Sequence, residues 1–159
     1  MGTLSNSLVA ITEDFLEFAR ANLPLYTSVP NYDRLVLRDA GTGYDQFLDQ
    51  PQAETAWMKL DFLHTPAYTT TLGVGGEDEQ VSILQIALNY PLLTGQKALY
   101  EAYDLLRNHY VAGKSLTYSG TTVKILQCGI TEPVKSGDSF RAFVSIEWRV
   151  RHVRPNPLT

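Results

Sequence analysis

The sequence predicts an α+β domain: a mixed, mainly antiparallel sheet packed with two main helices, in the order helix, strands, helix, strands. Three observations carry that expectation. Leu8, Ile11, Phe15, Phe18 and Ala19 recur at helical spacing near the start of the chain. From Gln80 to Tyr90 runs a strand without formal charge, with Val81, Ile83 and Ala87 on one face and Leu84, Ile86 and Leu88 on the other. Near the end, Phe140, Ala142, Val144, Ile146, Trp148 and Val150 alternate with Arg141, Ser145, Glu147, Arg149 and Arg151.

The first helix is expected from about Ser7 to Ala21. Ser5, Asn6 and Ser7 offer caps, Glu13, Asp14 and Glu17 complement the dipole, and Asn22 and Pro24 end it. From Leu25 to Pro51 the pattern weakens. Pro30-Asn-Tyr-Asp33 is turn chemistry, Arg34 to Arg38 fits a short strand, and Gly41 to Ala53 reads as a surface loop. Thr55 to His64 alternates Met58, Leu60 and Phe62 against Trp57, Lys59 and Asp61, as a strand does.

Tyr68 to Val74 is Thr-rich with little hydrophobic commitment, and so reads as an exposed arm. A Gly-rich, acidic-ended loop, Leu72-Gly-Val-Gly-Gly-Glu-Asp-Glu79, leads into the long uncharged strand, which a Pro91/Gly95 joint connects to the second helix. That helix, Gln96 to Tyr110, carries Ala98, Leu99, Ala102, Leu105 and Leu106 on its buried face, with Thr94 as its cap and Asp104–Arg107 as an exposed pair. After Gly113 come strands at Ser115–Tyr118 and Thr121–Gln127, a turn at Lys135–Asp138, and the closing strand. The resulting organisation is one domain over 1–151, an arm at about 66–79, and a Pro-containing tail over 152–159.

Composition excludes more than it assigns. A chain of 159 residues with 44% hydrophobic and 19% charged residues is long enough for one substantial core. A net charge of −4 gives no global attraction to nucleic acid or to an anionic bilayer, and no apolar run approaches a membrane span. The single cysteine, Cys128, excludes an intrachain disulfide and fits a reducing compartment, and the N-terminus lacks the features of a signal peptide.

Catalytic devices are missing from the pattern, and no cofactor is expected. Ala112-Gly-Lys-Ser115 resembles the end of a phosphate loop, but it follows a helix and precedes a strand, the reverse of what that loop requires. Gly73-Val-Gly-Gly76 lacks the third glycine and the following helix of a dinucleotide fingerprint. His64, His109 and His152 are scattered, and Cys128 has no neighbour at metal-ligand spacing. Glu77-Asp-Glu79 lacks the alternating oxygens of a calcium loop and reads as a solvated acidic cluster. Arg141, Arg149, Arg151 and Arg154 form the one basic patch, with too few interleaved aromatics for nucleic acid. Nine tyrosines, among them Tyr26, Tyr32, Tyr44, Tyr68 and Tyr118, hint at protein contacts.

The order of elements resembles a known family. Phe15 and Phe18 on the first helix are followed by the proline-containing Leu23-Pro-Leu-Tyr-Thr-Ser-Val-Pro-Asn31 segment. The strand Gln80 to Tyr90 then ends at Pro91 and Gly95, and the helix Ala98 to Leu106, the Gly113 connection and a last strand ending Ile146-Glu-Trp-Arg149 follow. From about Leu8 to Arg151 this is similar to the tail terminator proteins of long-tailed bacteriophages.

The resemblance implies a structural virion protein of the tail and neck, assembled in the host cytoplasm. It would form a homo-hexameric ring on the last ring of tail tube protein, stop polymerisation and present a docking surface to the head–tail connector, with DNA only as passing cargo. On that reading Tyr68, Thr70, Leu72, Val74, Arg149 and Arg151 are expected to make protein contacts, and Glu77, Asp78 and Glu79 to face solvent or the lumen. The alternatives are another neck component, such as a stopper or completion factor, or, more distantly, a small enzyme using Cys128 or the acidic loop.

Overall fold

The computed structural model describes residues 2–23, 57–70, 72, 73, 75–92, 95–137 and 139–154. The expected turn and strand over 30–38 and the loop over Gly41 to Ala53 lie outside the described residues, as do Thr94, Val74, Pro155 and Pro157.

Helix α1 spans Leu4–Asn22, one turn earlier than the serines suggest, because Thr3 is the cap: its hydroxyl accepts from the Asn6 N–H at 3.2 Å. Ser7 is buried inside the helix and donates to the Leu4 carbonyl at 2.6 Å. At the other end Leu23 closes the last turn by donating its N–H to Ala19 O at 3.0 Å. Helix α2 spans Lys97–His109 and buries Leu99, Ala102 and Leu106. Leu105, expected on the same face, is exposed, since the buried line runs at positions 99, 102 and 106 and Leu105 turns away from it. The expected Asp104–Arg107 pair is not formed; Lys97 and Glu101 make an i,i+4 pair at 3.6 Å instead.

The strands are β1 Trp57–His64, β2 Tyr68–Thr69, β3 Glu77–Pro91, β4 Ser115–Tyr118, β5 Thr121–Ile130, β6 Val134–Ser136 and β7 Ser139–Val153. Every pairing among them is antiparallel, in the order β1-β3-β7-β5-β4, with β2 added to β3 and β6 to β7. Among the described residues the architecture is thus α+β, with two helices and a sheet of seven strands. The 15-residue strands β3 and β7 pair along their full length and form the spine.

Both helices and one sheet face enclose the core. Ile11, Phe15 and Ala19 of α1 and Leu99, Ala102 and Leu106 of α2 share it with Leu84, Ile86 and Leu88 of β3 and Val144, Ile146 and Trp148 of β7. Met58 and Leu60 extend it across β1, and Phe62 meets the Trp148 ring edge-on at 6.0 Å. On β5 the alternation changes step at a bulge between Ile125 and Gln127, so that Val123, Ile125, Cys128 and Ile130 all reach the core side.

Three further expectations need correction. Strand β3 is not covered on both sides throughout: Ala87 and Asn89 are buried on its second face, whereas Val81 and Ile83 are only half-buried. The turn expected around Lys135 is present, at the end of a hairpin in which β6 pairs with the start of β7 and Gly137 at φ 60 turns the chain. Glu77–Glu79 belong to β3 instead of a loop, because β7 continues to Val153 and pairs Glu77↔Val153, Asp78↔His152 and Glu79↔Arg151. His152 and Val153, assigned to the tail by sequence, therefore lie in the sheet.

Candidate functional site

The end of the sheet that carries the arm gathers most of the residues singled out by sequence. The antiparallel register sets Tyr68 of β2 opposite Glu79 of β3, and Glu79 opposite Arg151 of β7. Arg149 sits two positions along β7, on the same face and within diagonal reach. Strand alternation therefore points all four side chains to the face turned away from the helices.

They converge on one carboxylate. The Tyr68 hydroxyl donates to Glu79 Oε2, while Arg149 NH1 and Arg151 Nε approach Oε1 at 3.3 and 3.2 Å. The side chain of Glu79 is only 8% exposed, against 29% for Arg149 and 50% for Arg151. The expectation that Glu79 faces solvent or a lumen is thus corrected: a carboxylate in that setting is held by its donors. Glu77 lies 4.0 Å from Arg151, and Asp78 2.5 Å from Arg154, both partly exposed.

Arg154 fastens the tip. Its backbone N–H donates to Gly76 O at 2.7 Å, and its guanidinium donates to Gly73 O at 2.7 Å and to Glu77 O at 3.3 Å. Thr70 closes the base of the turn, donating both its N–H and its hydroxyl to Glu77 O at 2.9 Å. Gly73 and Gly75 take φ of 96 and 76, which only glycine adopts without strain. Between these fixings Leu72 is 93% exposed. The arm is a stapled end of the sheet with an apolar residue at its tip.

The same face holds a shallow, open cavity of about 250 Å³ lined by Lys124, Arg149, Arg151, Glu77, Ser115 and Thr122. Cross-strand register puts Lys124 directly opposite Arg149.

The hydrogen bond from Tyr68 holds the Glu79 carboxyl below its ordinary value of 4.5, with Arg151 and Arg149 adding to the effect and burial opposing it. The same bond raises the Tyr68 hydroxyl above its ordinary 10.0, helped by burial and by the Glu79 charge. A depressed carboxyl contributes stability that is present above pH 4.5 and lost as pH falls through the lowered value; a raised hydroxyl contributes stability present below pH 10.0 and lost above it. Acid is therefore expected to release the arm before the core. Hydrogen exchange between pH 7 and 3 should show the amides of Tyr68 and Thr70 losing protection below pH 4.5, while Leu84–Leu88 stay protected.

The enzyme alternative gains nothing from the geometry. Burial pushes the Cys128 thiol up to about 11, which leaves little thiolate at neutral pH. His109 bonds Asp14 at 2.8 Å and stacks on Phe18 at 4.2 Å, where it joins α2 to α1. His64 bonds the Ser82 hydroxyl at 2.9 Å, and His152 the Gly2 carbonyl at 2.7 Å. Among the described residues no three His, Cys, Asp or Glu side chains are grouped to hold a metal ion, and no helix is long and apolar enough to cross a membrane.

What decides the family is a match over most of the sequence. The family described as "Phage tail terminator protein" matches residues 35–148, well over half of the chain. The chain belongs to the phage tail terminator family. It is thus a structural protein of the phage tail, which associates with other tail proteins. No curated protein matches it at a significant level. A solved structure is similar at a TM-score of 0.65, covering 97% of this chain and 100% of its own, with 12% identity. At that identity the likeness speaks for the fold alone. The terminator family match spans β1 to most of β7, so β3, the larger part of β7 and Arg141 lie within it, whereas Arg149, Arg151 and Arg154 lie just beyond its end.

Proposed function

We propose that the chain caps the head-proximal end of the tail tube as a closed ring of identical subunits, six in the family's manner. The ring stops tube polymerisation and offers the surface onto which the head–tail connector docks. Membership of the terminator family is the observation that carries this reading. The form of the domain supports it: helices cover one side of the sheet, and at the arm end a charged surface lies on the other, so that one subunit offers two unlike surfaces. Unlike surfaces on one chain suit head-to-tail contacts, which close into rings.

The arm supplies the contact. Leu72 stands almost wholly exposed on a turn that Arg154 and Thr70 hold in place, so little ordering remains to be done on binding. Tyr68 and Thr70 set the base of the arm, and Val74 completes its sequence. Arg149 and Arg151 act chiefly by fixing Glu79. Glu77 and Asp78 flank the arm as partly exposed carboxylates. On the wall of a ring's channel they would repel passing DNA.

The test is tube length. Purified tube protein is allowed to polymerise with and without this chain, and lengths are measured by electron microscopy. Short tubes of fixed length are expected with the wild-type chain, and long, heterogeneous tubes with Leu72→Glu. Because Leu72 buries almost nothing, that variant should melt within a degree or two of wild type. Tubes of unrestricted length with the wild-type chain would overturn the capping reading.

A further inference from the structure

Charge on the described surface is unevenly paired. Arg149 and Arg151 share the single buried carboxylate of Glu79, and Arg151 lies only loosely near Glu77, at 4.0 Å. Lys124 stands directly opposite Arg149 across β5 and β7, with no carboxylate in ion-pair reach among the described residues. Like charges facing each other across a sheet are unfavourable. Together they leave a surplus positive charge in the open cavity, whose Ser115 and Thr122 side chains add hydroxyl donors. Such a cradle takes a carboxylate.

The complementary group is on the opposite side of the same molecule. Glu13 and Glu17 stand one turn apart on the exposed side of α1, whose buried side is Ile11, Phe15 and Ala19. Neither has an ion-pair partner among the described residues. Helix α1 packs on the core side of β4 and β5, and Lys124 projects from the other side of β5. An anionic ridge and a cationic cradle thus lie on opposed faces of one two-layer domain.

We infer that the Lys124–Arg149–Arg151 cavity is the acceptor for the Glu13/Glu17 ridge of an adjacent copy of this chain, and that this pairing sets the direction of head-to-tail packing. The inference rests on the ring reading and adds the residues that make the contact. Opposed, complementary faces generate a heterologous contact, whereas a two-fold dimer would set like against like. Nucleic acid fits the cavity less well. A surplus of about one charge releases too few counterions for useful affinity, and the Glu77 carboxylate itself lines the cavity.

Three purified full-length proteins test the pairing: wild type, Lys124→Glu, and the double variant Glu13→Lys/Glu17→Lys. Sedimentation velocity and mass photometry at about 50 mM salt, near a Debye length of 14 Å, read their assembly. Wild type is expected to form rings that weaken as salt rises. Each variant alone should associate about tenfold more weakly, because a like charge now sits in the contact. Mixed in equal amounts, the two variants should regain ring formation, since each restores the other's lost pairing. Rings that form in Lys124→Glu as readily as in wild type overturn the pairing and leave the ring reading standing. A wild-type chain that stays monomeric, alone and with tube protein, overturns both. A short DNA duplex bound by wild type and lost in Lys124→Glu, with rings unaffected, would replace the carboxylate by phosphate and also overturn the inference.

Discussion

Glu79→Ala is expected to free the arm and to lower the stability of the whole domain. The substitution removes the acceptor that three side chains share, so Tyr68 loses its hydrogen bond and Arg149 and Arg151 face each other without an anion between them. Breaking a well-buried ion pair costs about 3–5 kcal/mol, and the exposure of the two arginines brings the expectation here to about 2 kcal/mol. In chemical denaturation this appears as a lower midpoint with an unchanged slope. Hydrogen exchange should localise the larger effect to Tyr68–Thr70 and to Glu77–Gln80, where β2, β3 and the end of β7 meet. Glu79→Gln, which keeps the shape and one acceptor oxygen, should lie between wild type and alanine. Capping should fall in the same order, because Leu72 is then presented by a loosened arm. Equal protection of the arm in all three proteins would remove Glu79 from its assigned place.

Trp148→Ala is expected to produce the largest loss of stability. Trp148 is completely buried on β7, at the centre of the strand spine, in edge contact with Phe62 and within the cluster that both helices share. Truncating a buried tryptophan costs about 3–5 kcal/mol, from lost transfer energy and the cavity that remains. For a domain of this size that is a large part of the margin separating folded from unfolded chains. Circular dichroism should show a melting temperature lower by about 10 °C or more. Leu105→Ala is the matched control, since Leu105 is exposed on α2 and its loss should be nearly silent. The contrast separates residues that are merely apolar from those that face the core.

These two residues also mark what the sequence could and could not convey. Trp148 was legible because β7 alternates without interruption, and a two-residue period with arginines on the other face leaves little freedom. Strand β3 and helix α2 were legible for the same reason, apart from Leu105, which the helical spacing admits and the packing does not. Glu79 was not legible. Three consecutive acidic residues after a glycine run have the composition of a solvated loop. Their membership of β3 depends on the last residues of β7, more than seventy positions away. The partners of Glu79 are similarly distant, with Tyr68 eleven residues before it and Arg149 and Arg151 at the far end of the chain. The bulge on β5 was hidden in the same way: a single extra residue shifts Cys128 to the core side without leaving a mark in composition. By sequence Arg154 falls in a basic patch, while its hydrogen bonds make it the clasp of the arm.

For function, the chain order from the first helix to the last strand carried the resemblance, and the family match over residues 35–148 established it. The proposed contact residues are another matter. They are placed by sheet register, and register is fixed only when distant strands meet.

The central claim is that this chain acts at one end of the tail tube. Purified, gold-labelled protein added to preformed tail tubes and imaged by negative-stain electron microscopy tests it directly. The account predicts label at a single end of each tube, the head-proximal one, with none along the wall. Label spread along the tubes, at both ends equally, or at neither would contradict it.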